Sequence, residues 1–259
     1  MKLKINTGSV FSDFKILFHQ GKQYIPDVTT AEVPGIFRGR PVIASGAERD
    51  TNELMGICPT GAISVDPVSI DLGKCVFCGE CQRKFPNIFH FTKDYKISAA
   101  SREGLIIVEG NEQPMVIDAT QVRKEIRRIF GKSLKLRQVS AGGDNSTEWE
   151  LNAAGNVNFD MGRFGIEFVA SPRHANGVVI TGPITKNMAE PLQICYDAIP
   201  EPKIIILAGT DAISGGIYAG SPALDRRFLD KYRVDLYIPG NPVHPLTFIN
   251  GILSLIRRK

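Results

Sequence analysis

The chain has 259 residues, 31 basic and 27 acidic side chains, a formal net charge of +4 and five cysteines. That length supports one large or two ordinary domains with a sizeable core, and so mild a charge, with no base-reading motif, argues against nucleic acid as a partner. Five cysteines do not make a disulfide framework and point to a reducing compartment.

Residues 1 to about 40 give few signals. The opening MKLKINTGSVFSDF lacks the apolar core of a signal peptide, and no apolar run is long enough to span a membrane. The expectation is a cytoplasmic protein, peripheral to the cytoplasmic face of any membrane it serves. Pro26, Pro34 and Gly35 punctuate this stretch, which reads as an extended arm wrapping a partner. Phe37-Arg38-Gly39-Arg40-Pro41 reads as the loop that leaves it.

Residues 41–112 carry Cys75-Val76-Phe77-Cys78-Gly79-Glu80-Cys81, a C-x-x-C-x-x-C run, with Cys58-Pro59 upstream. Thr60 to Val65 suits a turn and a short strand, and Asn87–Phe91 and Leu105–Val108 suit strands. His90 reads as a surface or packing histidine. The cysteine spacing resembles one half of a two-cluster ferredoxin, in which three cysteines of one run and the Cys-Pro of the other hold one iron–sulfur cluster. On that resemblance Cys58, Cys75, Cys78 and Cys81 make one complete set of ligands for a [4Fe–4S] cluster. The second cluster's positions fall at Glu48, Thr51, Leu54 and Phe85, all without sulfur. Structural zinc and free buried thiols are the other readings of the run, although zinc sites usually pair two separated couples and no second couple is present.

Asp118 to Phe130 reads as a helix opened by a capping box of Asp118 and Gln121. Val122, Ile126, Ile129 and Phe130 mark its apolar face, and Arg123, Lys124, Arg127 and Arg128 a solvated one. An acidic partner or an anionic membrane is the sharper alternative for that basic face. Gly131 ends the helix.

From Leu134 strands and helices alternate. Leu134–Val139, Gly165–Val169, Gly177–Gly182, Lys203–Gly209 and Val234–Ile238 read as strands. A helix runs through Met188, Leu192 and Tyr196, and Pro245–Ile256 makes a closing helix. Continuous apolar strands separated by helices imply a parallel sheet covered on both faces, with sites in the loops beyond the strands' carboxyl ends. Three parts follow: an arm with a ferredoxin-like iron–sulfur domain over 1–112, a linker helix over 113–133, and an α/β domain over 134–259.

The loops of the last part carry a second resemblance. Ala170-Ser171-Pro172-Arg173-His174-Ala175, Thr181-Gly182-Pro183-Ile184-Thr185, Met188-Ala189-Glu190-Pro191-Leu192 and Ile199-Pro200-Glu201-Pro202-Lys203, then Ala212 to Gly216, Tyr237 to Gly240 and His244-Pro245-Leu246, follow one another in family order. They resemble the small-subunit family of group 4 [NiFe] hydrogenases, which includes the cluster-bearing subunit of respiratory complex I. The resemblance implies a flavodoxin-like domain and a fusion of two neighbouring subunits. It further implies a place beside a hydrogenase large-subunit-like protein and membrane subunits, with a ferredoxin as a further partner.

The family's proximal cluster is held by cysteines in these loops, and the matching positions here are Asp144, Thr147, Asp211 and Asn241. That role does not carry over, because hard oxygens replace thiolates poorly around iron–sulfur. A hydrogen-bonded polar remnant is the favoured reading of these four, and a hard cation such as Ca²⁺ or Mg²⁺ the lesser one. Cys195 reads as a packing cysteine.

The expectation is therefore an electron-transfer or scaffold subunit of a membrane-associated, energy-converting hydrogenase-related complex, carrying one [4Fe–4S] cluster. The alternative is a stand-alone iron–sulfur redox or iron sensor whose degenerate domain binds a partner. A self-contained enzyme is the weakest reading: no nucleophile–base pair, P-loop or dinucleotide fingerprint is present.

Overall fold

A computed structural model describes residues 7–21, 23–46, 51–118 and 120–256, with side chains at all of these except 7–9, 51 and 52. Residues 134–256 build a five-stranded sheet from β6 (Leu134–Ser140), β7 (Ile166–Phe168), β8 (Gly177–Thr181), β9 (Ile204–Ala208) and β10 (Leu236–Ile238). Every pairing is parallel and the order is β7-β6-β8-β9-β10. Counted from its first strand this is 2-1-3-4-5, the flavodoxin-like doubly wound order.

The strands are apolar on both sides because both sides are covered. Along β9, Ile204, Ile206 and Ala208 enter one core while Ile205 and Leu207 enter the other, and Val178, Val179 and Ile180 of β8 alternate in the same way. This is the two-residue period of a strand between two packed layers. One layer consists of α4 (Lys124–Phe130), α5 (Ser146–Ala154) and α9 (Pro245–Ile256). Helix α9 is apolar around nearly its whole circumference, as a helix enclosed on all sides must be.

The other layer is shared. Leu192 and Tyr196 of α6 (Lys186–Asp197) and Phe228 of α8 (Arg227–Lys231) cover part of the sheet, and the N-terminal part covers the rest. That part contains an antiparallel pair, β1 (Pro41–Ile43) with β4 (Phe89–Phe91). It also contains a three-stranded antiparallel sheet of β2 (Ile63–Val65), β3 (Val68–Asp71) and β5 (Ile106–Val108). Ile43, Leu54, Phe89 and Leu105 belong to the same continuous core as Val178 and Leu207 of the parallel sheet. At the sheet margin Ala99 and Tyr237 exchange two backbone hydrogen bonds, 3.0 and 2.8 Å, which cap the free edge of β10.

Three local expectations are corrected. Residues 7–20 form a helix, α1 (Thr7–Gln20), in place of an extended arm. Asp118 does not cap a helix there: its carboxylate accepts from the Thr120 amide at 2.8 Å, and α4 begins at Lys124. The local side-chain bond competes with helical bonding, as Asp and Thr near a helix start often do. Arg123 leaves the solvated face and forks onto the buried Asp235, 2.8 Å from Nε and 3.0 Å from Nη2, which ties the linker to the start of β10.

Candidate iron–sulfur site and the remnant beside it

The C-x-x-C-x-x-C run begins where β3 ends. Asp71 turns the chain: its carboxylate accepts from the Gly73 amide at 2.9 Å and takes a bidentate pair from Arg102 at 2.7 and 2.6 Å. The Cys75 amide then donates to the Asp71 carbonyl at 3.0 Å, which fixes the loop's first residue. Phe77 adopts a left-handed backbone (φ 53°), a conformation that costs a bulky residue on the order of 1–2 kcal/mol. Gly79 follows at φ 75°, and a Cβ there would press on the Arg38 side chain. Arg38 donates to the Phe77 carbonyl at 3.1 Å, so a guanidinium from the preceding loop holds the strained turn in place. Cys81 sits in the first turn of α3 (Glu80–Lys84). Cys58 follows α2 (Thr51–Gly56) and a short turn.

The loop aims amide hydrogens at sulfur. The Ala62 amide donates to Cys58 Sγ at 3.2 Å and the Phe77 amide to Cys75 Sγ at 3.4 Å. Cys75 and Cys81 are buried, Cys58 is half-buried and Cys78 is exposed. Burial pushes the Cys75 thiol well above its ordinary range, and charge on Cys81, Cys58 and Cys78 pushes it further. Cys81 is raised to about 11, again mainly by burial, with Cys78 and Cys58 adding to it. Charge on Cys81, Cys58 and Cys78 thus opposes ionisation of Cys75, and charge on Cys78 and Cys58 that of Cys81. Among the described residues no three His, Cys, Asp or Glu side chains already converge on one metal position.

The positions where a second ferredoxin cluster would lie are filled by carbon or fall outside view. Leu54 is fully buried in the core and Phe85 packs against it. Glu48 lies outside the described residues, as does the Thr51 side chain. His90 is exposed on β4, and Cys195 is half-buried on α6 against the core, its thiol raised by burial.

At the carboxyl edge of the parallel sheet, the loops after β6, β9 and β10 bring Asp144, Thr147, Asp211 and Asn241 to one end of the fold. Asp144 Oδ1 accepts from the Ser146 amide at 3.0 Å and from its hydroxyl at 2.6 Å, bonds that hold this carboxyl below its usual range. Thr147 is buried beside Gly209. Asn241 lines a cavity of about 160 Å³ with Phe37, Arg38, Phe77 and His244. Asp211, at the start of α7 (Thr210–Ser214), has an enclosed Oδ1 with no hydrogen-bond partner among the described residues. Burial raises its carboxyl to about 6, Asp144 and Glu148 raise it by repulsion, and Arg226 offsets part of this. Arg226 spends its donors on the carbonyls of Pro183, Asp211, Ala212 and Ile213 at 2.8–3.2 Å, which staples the loops together.

The two regions touch. Thr210 Oγ1 donates to the Cys75 carbonyl at 2.7 Å and lies 3.2 Å from the Gly240 carbonyl. Thr210, Arg38 and Arg226 escape a reading of the sequence, because each acts through backbone carbonyls 13 to 135 residues away. No local pattern announces such bonds.

Comparison with known proteins places this architecture. Residues 145–255 match the family described as NADH ubiquinone oxidoreductase, 20 Kd subunit. A Pyrococcus furiosus protein named "Probable membrane-bound hydrogenase subunit mbhJ" is 30% identical over 134 residues, spanning 52% of this chain and 80% of that one. The chain belongs to this 20 kDa subunit family. Another relative of the family, an NADH-quinone oxidoreductase subunit of Clostridium beijerinckii, is 44% identical over 111 residues, which span 41% of this chain and 63% of that one. A chain of the membrane-bound sulfane sulfur reductase, an archaeal respiratory membrane complex, aligns at 30% identity over 51% of this chain and 73% of its own, with a TM-score of 0.44. Among the described residues no helix is long and apolar enough to cross a membrane.

Proposed function

We propose that this protein is an electron-transfer or scaffold subunit of a membrane-associated complex related to energy-converting hydrogenases and complex I. In this reading residues 1–112 are an arm and a ferredoxin-like domain, 113–133 a linker and 134–259 the family's flavodoxin-like domain. One [4Fe–4S] cluster is held by Cys58, Cys75, Cys78 and Cys81. The observation that carries the reading is the donor set: three thiols on one strained, clamped loop and a fourth, Cys58, from the turn after α2, two of the four already accepting amide hydrogens. As bare thiolates they would repel one another in a partly buried setting. Positive iron would reverse that penalty, and amide bonds to sulfur are among the protein's means of tuning such a centre. The cysteine spacing, with no second separated couple in the sequence, supports a cluster over zinc.

The cluster, when bound, supplies one-electron exchange with a partner protein. The residues of this chain hold and insulate it: Arg38 fixes the Phe77–Gly79 turn, Cys75 and Cys81 face the core, and Cys78 faces solvent, where a partner's redox centre can approach. The loops with Asp144, Thr147, Asp211 and Asn241 do not fit a second cluster. Their donors are hard oxygens, and Oδ1 of Asp144 is already engaged by Ser146. The flavodoxin-like domain keeps a docking role toward a hydrogenase large-subunit-like protein and membrane subunits, a place supported by the names of its relatives. A ferredoxin remains a candidate donor.

The deciding experiment is iron and acid-labile sulfide analysis of anaerobically purified protein, with electron paramagnetic resonance after reduction. The expected result is roughly four irons per chain and one fast-relaxing S = 1/2 signal. Zinc in place of iron, or about eight irons, would overturn the reading. Co-purification separates the two roles: a complex component carries a large-subunit homologue with it, and a sensor isolates alone.

A further inference from the structure

Helix α1 is amphipathic and lies in the open. Each side chain from Val10 to Gln20 is exposed. At the helical period Val10, Phe11, Phe14, Leu17 and Phe18 fall within an arc of roughly 120°. Their exposure is high for such residues: 84% for Phe18, 79% for Phe11, 65% for Leu17 and 57% for Phe14. Asp13 and Lys15 border the stripe on its two sides, and His19 and Gln20 lie on the opposite side with Ile16 among them. A helix of this length is marginal in water by itself, and a stripe with three phenylalanines loses the benefit of burial on a scale that decides where it rests.

Charge indicates the surface that covers the stripe. The first 24 residues contain Lys2, Lys4, Lys15 and Lys22 against the single acid Asp13. A second copy would bring the same excess of positive charge to the contact and be repelled by it. An anionic bilayer complements it, because lysine stems lie along apolar surface while their ammonium groups reach the headgroups. We propose that α1 lies in the plane of an anionic lipid surface, its phenylalanines at the acyl boundary and Lys15 at the headgroups. It thereby anchors the protein to the bilayer directly. This rests on α1 and its flanking charges alone and is independent of the cluster assignment.

The test is co-sedimentation of the full, anaerobically purified chain with phosphatidylcholine vesicles prepared with and without phosphatidylglycerol. The expected result is partitioning at least about tenfold stronger with phosphatidylglycerol, reduced at high salt. The double variant Phe14→Asp/Phe18→Asp should weaken it at least about tenfold while leaving iron content and melting temperature unchanged. Three outcomes would overturn the proposal: no sedimentation with either vesicle, as for a helix that serves a protein partner or a second copy; equal partitioning to both compositions; or undiminished binding by the double variant.

Discussion

The loop holding Cys75, Cys78 and Cys81 and the loops at the carboxyl edge of the parallel sheet meet at one hydrogen bond, from Thr210 to Cys75. They treat their ligand positions in opposite ways. On the N-terminal side the backbone spends strain at Phe77, a clamp from Arg38 and two amide hydrogens on keeping sulfur in place. On the sheet side the backbone packs closely, with Gly209 at φ 98° beside Thr147 and Gly216 folded so near that a Cβ would collide with Asp211 Oδ1. There the positions that the family resemblance marks for sulfur carry oxygen side chains. Fold and these positions are therefore separable: the apolar cores and the Arg226 staples are built without the side chains of Asp144, Thr147, Asp211 and Asn241.

The sharpest way to break this comparison is to remove one sulfur from the side that keeps them. Cys78→Ser should abolish the iron–sulfur absorbance and leave less than about one iron per chain, since a neutral hydroxyl is a poor ligand for iron–sulfur. Absorbance equal to that of the parent would sink the ligand assignment. The reverse experiment returns sulfur to the other side. After anaerobic reconstitution, the quadruple substitution Asp144→Cys, Thr147→Cys, Asp211→Cys and Asn241→Cys should raise iron from roughly four toward eight per chain. Iron that stays near four would mean that the loops have closed beyond recovery.

A smaller effect tests the second ferredoxin position. Leu54 is fully buried where a ligand would stand, so Leu54→Ala should cost about 3 kcal/mol through the cavity it opens. For a chain of this size the melting temperature should fall by roughly 6 to 12 °C, with iron content unchanged. Loss of iron together with stability would mean that Leu54 supports the cluster loop as well as the core.

How much of this was legible in the sequence differs between the same two regions. The strands β8 and β9 announced themselves as unbroken apolar runs, and α9 kept the bounds its pattern suggested, because burial on both faces leaves no polar position to confuse the period. The elements that escaped are short or locally ambiguous. Helix α1 carries few capping signals, and its apolar residues pack against nothing described, so Pro26 and Pro34 outweighed it. Helix α4 was overextended because Asp118 and Gln121 imitate a capping box while the Asp118 carboxylate bonds Thr120. The cysteine run was visible as chemistry, but its packing on Thr210 was not, since hydrogen bonds to carbonyls leave no mark in side-chain pattern. The cover that the N-terminal part gives the parallel sheet was equally hidden: Ile43 and Leu105 look like any core residues until the fold shows what they cover.

The smallest expected effect concerns what the Asp211 carboxylate costs the fold. Asp211 has its carboxyl raised from 3.8 to about 6 by burial first, then by Asp144 and Glu148. The folded state therefore binds more protons than the unfolded state between those values, and stability falls as pH rises from about 4 to about 6. Below that window the neutral acid fits its site; above it the folded chain carries a poorly solvated charge. The full shift corresponds to about 3 kcal/mol, which solvent screening around a half-buried group reduces to about 1–2 kcal/mol. Asp211→Asn removes that charge with little change of shape. Its melting temperature should match that of the parent near pH 4 and exceed it by a few degrees above pH 6. Melting curves of both proteins across that range check this directly. A difference of constant size at every pH would show that the amide acts through packing or new hydrogen bonds, and that the carboxylate at this position costs the fold nothing.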